Sequence, residues 1–114
     1  MSLKTTKVSD TNDKAIFLFT SNKALEEQTL LDLSTLDNAT SSPEIDLSNI
    51  LYEVDGSMVV NFENDTTNIL NLKNDGNWGM KPNEDRIRGT NNLSISSAGK
   101  FKVVLEIQKV KGFN

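Results

Sequence analysis

The sequence has no cysteine and no histidine. The first absence excludes disulfides and thiolate metal sites, and the second removes the usual general base at neutral pH and the commonest zinc ligand. Much of hydrolytic and metal-dependent chemistry is left without its customary groups. Twelve Lys and Arg stand against 16 Asp and Glu, for a formal charge of −4, and the cations are spread along the chain. No basic patch is there to neutralise phosphates, so nucleic acid is not an expected partner. No apolar run approaches the roughly 18 residues of a membrane span. Met1 to Lys7 lacks the apolar middle of a signal peptide, so a chain made in a cytoplasm, with no membrane partner, is expected. The Asn-X-Ser/Thr matches at Asn38, Asn64 and Asn92 are discounted on the same ground.

What is present reads as strands and turns. At 114 residues the chain makes one domain, 1–114, able to bury about two-thirds of its unfolded surface. The clearest signal is Asn49 to Phe62, where Asp55-Gly56 separates two β-prone runs. A three-residue loop Val54-Asp55-Gly56 gives a hairpin that pairs Tyr52 with Met58 and Ile50 with Val60. One face is then apolar and extended by Phe62, while the other carries Leu51/Val59 among polar residues.

Residues 1–13 are polar and predict an N-terminal arm with a short strand near Thr5 to Val8. Lys14 to Thr20 is a continuous apolar run. It reads as a strand covered on both faces, or on one face by the fold and on the other by a partner. Ser21 to Leu36 predicts a polar loop with at most one helical turn, then a strand that includes Leu31 and Leu33. Asp37 to Pro43 is a loop by composition. Thr67 to Lys73 is a strand, Asn74 to Asp85 a long loop carrying the only Trp, and Arg86 to Asn92 irregular. Leu93 to Ser96 and Phe101 to Gln108 form a second hairpin about Ser97 to Lys100, with Phe101, Val103, Leu105 and Ile107 on one face. The expected fold is all-β, a single antiparallel β-sandwich of jelly-roll or Greek-key type, with a partly open β-barrel as the alternative.

Few residues invite chemistry. Glu63, Asp65 and Glu53 are the nearest thing to paired carboxylates, but a solvated turn accounts for them. Asp10, Asn12 and Asp13, or Asn74, Asp75 and Asn77, offer hard oxygens without the twelve-residue calcium-loop pattern, and turn formation explains both sets. No catalytic residue, metal ligand or cofactor is assigned, and the chain reads as a non-enzyme. Trp78 is either a stacking platform or contact anchor, or a plug for one end of the sandwich. Arg86 and Arg88 form the candidate cation pair of an interface.

Several of these segments together resemble a known family. They are Val8 to Ala15, Leu31-Asp32-Leu33-Ser34, Ile50 to Gly56 with Val59 to Phe62, the Asp75 to Trp78 turn, and Lys102 to Lys109 before Gly112-Phe113. The chain resembles small all-β virion proteins of tailed bacteriophages, particularly those of marine cyanobacteria. The resemblance implies a structural part of the particle, a capsid decoration or cement protein whose partners are the major capsid protein, other virion proteins and further copies of itself on the shell. It names no catalytic residues. On this expectation contacts come from the arm, with Lys4 and Lys7, from the loop with Trp78, Arg86 and Arg88, and from the tail with Phe113. A neck or tail component, and a carbohydrate-binding module using Trp78 and Tyr52, are the alternatives.

Overall fold

The computed structural model describes residues 3–79 and 87–114. Eight strands make up most of it: β1 (Lys4–Asp10), β2 (Lys14–Ser21), β3 (Leu25–Leu31), β4 (Ala39–Phe62), β5 (Leu70–Trp78), β6 (Ile87–Gly89), β7 (Leu93–Ser97) and β8 (Phe101–Phe113). A 3-10 turn at Leu33–Thr35 joins β3 to β4. Asp32 caps that turn by accepting the Ser34 N–H, and Leu33 is buried beneath it. The strand expected through Leu33 therefore ends at Leu31.

All strands are antiparallel in one sheet, in the order β1-β2-β8-β4-β7-β3, with β5 and β6 on the other edge of β4. The organising strand is β4, 24 residues long. It runs straight through Asp55-Gly56, which corrects the expected hairpin. Tyr52 pairs with Val103 and Gly76, and Met58 with Ser97 and Leu72, rather than with each other. The second hairpin is corrected in the same way, because β7 and β8 lie end to end along β4. Val54 faces Phe101 and Met58 faces Ser97, so the register carries on unbroken across the gap. β2 and β3 repeat the arrangement against β8 and β7, with Ser21 opposite Phe101 and Leu25 opposite Ser97.

Four neighbouring ribbons thus bend along one line. On β4 the bend is Gly56, at φ +93°, and on β5 it is Asn74, at φ +61°, which alone spans the three residues Val54, Asp55 and Gly56 opposite it. Such a bulge turns a strand without ending it. A Cβ at Gly99 would stand 2.5 Å from the Asp55 carbonyl oxygen, so close passage at the bend requires glycine there. The Asp55 N–H donates to the Lys100 carbonyl and the Ala98 N–H to the Ser57 carbonyl, which closes the backbone accounting on both sides.

Folding along this line brings the two halves of the sheet face to face, as in a sandwich. One half holds β1, β2, β8, β6 and the first part of β4; the other holds β3, β7 and the last part of β4. Phe19, Ile45, Ile50, Ile95, Leu105 and Ile107 sit between them at 0–1% exposure. Truncating any of these large side chains removes about 2–5 kcal/mol. The apolar face read from Ile50, Met58, Val60 and Phe62 is this inner face, and Phe101, Val103, Leu105 and Ile107 join it as expected. The all-β sandwich expectation holds, with β2 a central strand between β1 and β8.

Further expectations change. The arm is not free, because Lys4–Asp10 pairs along β2. Asn74 to Trp78 is strand rather than loop. Ala39 onward is strand, where Asp37 to Pro43 had the composition of a loop.

Candidate functional site

Side chains alternate across each strand, so the inner set described above fixes an outer set. On the half containing β2, β8 and β4, one outer row runs Leu18, Val104, Leu51, each directly opposite the next. Leu51 is 53% exposed, and Leu18, Val104 and the nearby Ile16 are half-buried. The run Lys14 to Thr20 is thus fully covered by the fold on one face, through Ala15, Phe17 and Phe19, and half-covered on the other. The outer face of the other half is different. There Ser96, Asn61, Asn71 and Lys73 surround Val59. One outer face is apolar at its centre and the other is polar.

The remaining candidates are mostly occupied within the chain. Lys4 is exposed on β1. Lys7 pairs with Asp10 at 3.2 Å and Asp37 at 3.4 Å, the Asp10 contact chiefly raising its pKa. Arg88 forks onto Asp46, Nε to Oδ1 at 2.7 Å and a terminal nitrogen to Oδ2 at 3.1 Å, and this partner raises its pKa. Asp46 is buried on the outer side of β4, so the pair covers a carboxylate rather than reaching for a neighbour. Arg86 lies outside the described residues. Phe113 is docked, half-buried opposite Ala39, with the Lys109 ammonium 5.1 Å from its ring centroid. Trp78 sits opposite Ile50 and packs against the core. Tyr52 faces the same interior, and a Cβ at Gly76 would fall 2.7 Å from its hydroxyl oxygen, so Gly76 leaves the phenol its space. Trp78 and Tyr52 therefore offer no shared exposed stacking face.

The carboxylates read as turn formers behave as such. Asp65 accepts from the Thr67 N–H, the Thr67 hydroxyl and the Asn68 N–H, and these bonds lower its pKa to about 2. Glu63 accepts from the Thr29 hydroxyl at 3.1 Å. Asp32 is lowered by the Ser34 hydroxyl and N–H. Among the described residues no group of three or more His, Cys, Asp or Glu is placed to hold a metal ion.

One buried polar cluster was not legible beforehand. Lys109 follows Ile107 on the inner face, at the end of the sheet away from the bend. Its ammonium meets Asp10 Oδ1, the Thr11 carbonyl at 2.6 Å and the Asp37 carbonyl at 3.1 Å. The other Asp10 oxygen accepts the Asp37 N–H at 2.9 Å. Burial pushes the Asp10 carboxyl up, but the bonds from Lys109, the Asp37 N–H and Lys7 outweigh it and leave the pKa lowered. The cluster ties β8 to the β1–β2 turn and to the segment before β4. It is fully partnered, which marks it as structural.

No protein-family model matches the chain, and no curated protein matches it by sequence. Among solved structures, an RmlC-like cupin protein from Desulfovibrio desulfuricans is similar over 94% of this chain and 82% of its own, at 13% identity and a TM-score of 0.53. The fold is cupin-like. A cupin superfamily protein from Desulfitobacterium hafniense is similar over 96% of this chain and 78% of its own, at 14% identity and a TM-score of 0.47. Double-sheet jelly rolls include capsid, lectin and cupin domains, so function is argued from the surface of this chain and not from its fold.

Proposed function

We propose that the protein is a non-enzymatic structural component of a tailed-phage particle, a decoration or cement protein that binds the outer surface of the major capsid shell. The observation that carries this reading is the contrast between the two outer faces. The interior is packed with apolar side chains, while Leu18, Val104 and Leu51 form an apolar row on one outside face only. A contiguous apolar surface rimmed by polar residues is the mark of a protein contact. The strand-and-turn segments that resemble virion proteins supply the particle as its setting. The contact surface is this face, with Lys4 on the adjoining edge strand, and not a free arm.

The test is co-sedimentation of the purified protein with capsid shells lacking it, followed by imaging. Saturable binding at many equivalent surface sites is the expected result. Absence of binding removes the shell as partner and turns the search to neck and tail structures.

A further inference from the structure

Beside the apolar row lies a row that sheet stability does not explain. Lys102, Glu53 and Asp75 stand in register on β8, β4 and β5, all exposed on the outer face. Directly opposed side chains on neighbouring strands are about 5 Å apart at Cβ, and like charges so placed are destabilising. Glu53 and Asp75 are such a pair. Among the described residues neither carboxylate, nor Lys102, takes part in an ion pair. Lys102 stands on the far side of Glu53 and offsets one negative charge, which leaves the charge on the Asp75 side uncompensated among the described residues. Both carboxylates and Lys102 line an open depression of about 440 Å³, whose apolar and aromatic lining is Leu51, Val104 and Tyr52.

We infer that this depression receives a cationic side chain of the partner, an arginine whose methylene stem lies on Leu51 and Val104 and whose guanidinium bridges Glu53 and Asp75. Charge complementarity selects this occupant. An uncompensated carboxylate beside an apolar surface matches the two ends of an arginine, which buries its stem while its planar fork meets carboxylate oxygens. A second copy of this chain fits less well, since the chain carries net charge −4 and would bring further carboxylates to the same face. The inference rests on the proposed contact role of this face and specifies its partner.

The test uses the full chain and Nα-acetyl-arginine methylamide, with the citrulline analogue as the uncharged control, followed by amide chemical shifts. The arginine probe gives saturable shifts at Leu51, Glu53, Asp75, Lys102 and Val104, and the citrulline analogue does not. Asp75→Asn weakens arginine binding about tenfold. Because it also relieves the like-charge pair, it raises the melting temperature of the free protein by roughly 1–4 °C. No saturable response, an equal response to citrulline, an unchanged response in Asp75→Asn, or a lowered melting temperature in that variant overturns the inference. Shell binding without a probe response removes the inference and leaves the contact role standing. Probe binding without shell binding supports the inference and removes the shell.

Discussion

The Lys109 ammonium and the Asp10 carboxylate meet inside the folded sheet, with side-chain exposures of 1% and 2%. Removing Asp10 leaves the buried Lys109 ammonium on the Thr11 and Asp37 carbonyls alone, at a cost of about 3–5 kcal/mol, whereas removing Lys109 leaves Asp10 still paired with Lys7 and costs less. Asp10→Asn is expected to lower the unfolding free energy by that much, and Lys109→Met by less. The double variant Asp10→Leu/Lys109→Met loses less than either single change, because apolar replacement of a whole buried pair is often neutral. Urea unfolding of the three variants checks this.

Acid sensitivity follows from Asp10 and Asp65. Both carboxyls are lowered in the folded protein, Asp65 to about 2. The unfolded chain therefore binds protons first. Their stabilisation is present above the ordinary carboxyl pKa near 3.8 and is lost as pH falls through the folded values. Carboxyl carbon chemical shifts should place the Asp65 midpoint near 2, and Asp65→Asn should flatten the fall of melting temperature below about pH 4.

The bend is equally open to test. At Gly99 an added Cβ meets the Asp55 carbonyl at 2.5 Å, so Gly99→Ala must move backbone, at about 1–3 kcal/mol. Ala98→Ser, at an exposed neighbouring position, should change the melting temperature little.

Arg88 covers a buried carboxylate, so Arg88→Met leaves Asp46 without its fork. The expected loss of stability is small, because the Arg88 side chain is 56% exposed and solvent replaces part of the interaction. Arg88→Lys restores a point charge without the bidentate geometry and should fall between wild type and Arg88→Met.

These elements show what the sequence could and could not disclose. Alternation identified the inner faces of β4 and β8 correctly, and Gly56 takes the positive φ expected of it. The error lay in pairing. Asp55-Gly56 between two β-prone runs suits a hairpin turn, but it suits equally a strand that bends and continues, and the choice is made by distant neighbours. β7 and β8 follow β4 around the bend, so the same mistake recurs at Ser97 to Lys100 for the same reason. Asn74 to Asn77 had loop composition, yet one residue in the left-handed region absorbs the bend and lets β5 run on to Trp78. The Lys109 cluster was hidden because its partners come from two distant segments. The outer apolar row did leave a trace: an uninterrupted apolar run at Ala15 to Phe19 has twice the apolar faces that a one-sided strand needs.

The central claim is that this outer row is where the protein meets the particle. The most direct measurement compares shell binding by Leu51→Asp and Asn71→Asp, which add the same charge to the apolar and the polar outer face. Both variants should keep the wild-type melting temperature within a few degrees, since both positions are exposed. The account predicts that Leu51→Asp loses saturable binding while Asn71→Asp binds like wild type. Equal binding by the two variants would contradict it.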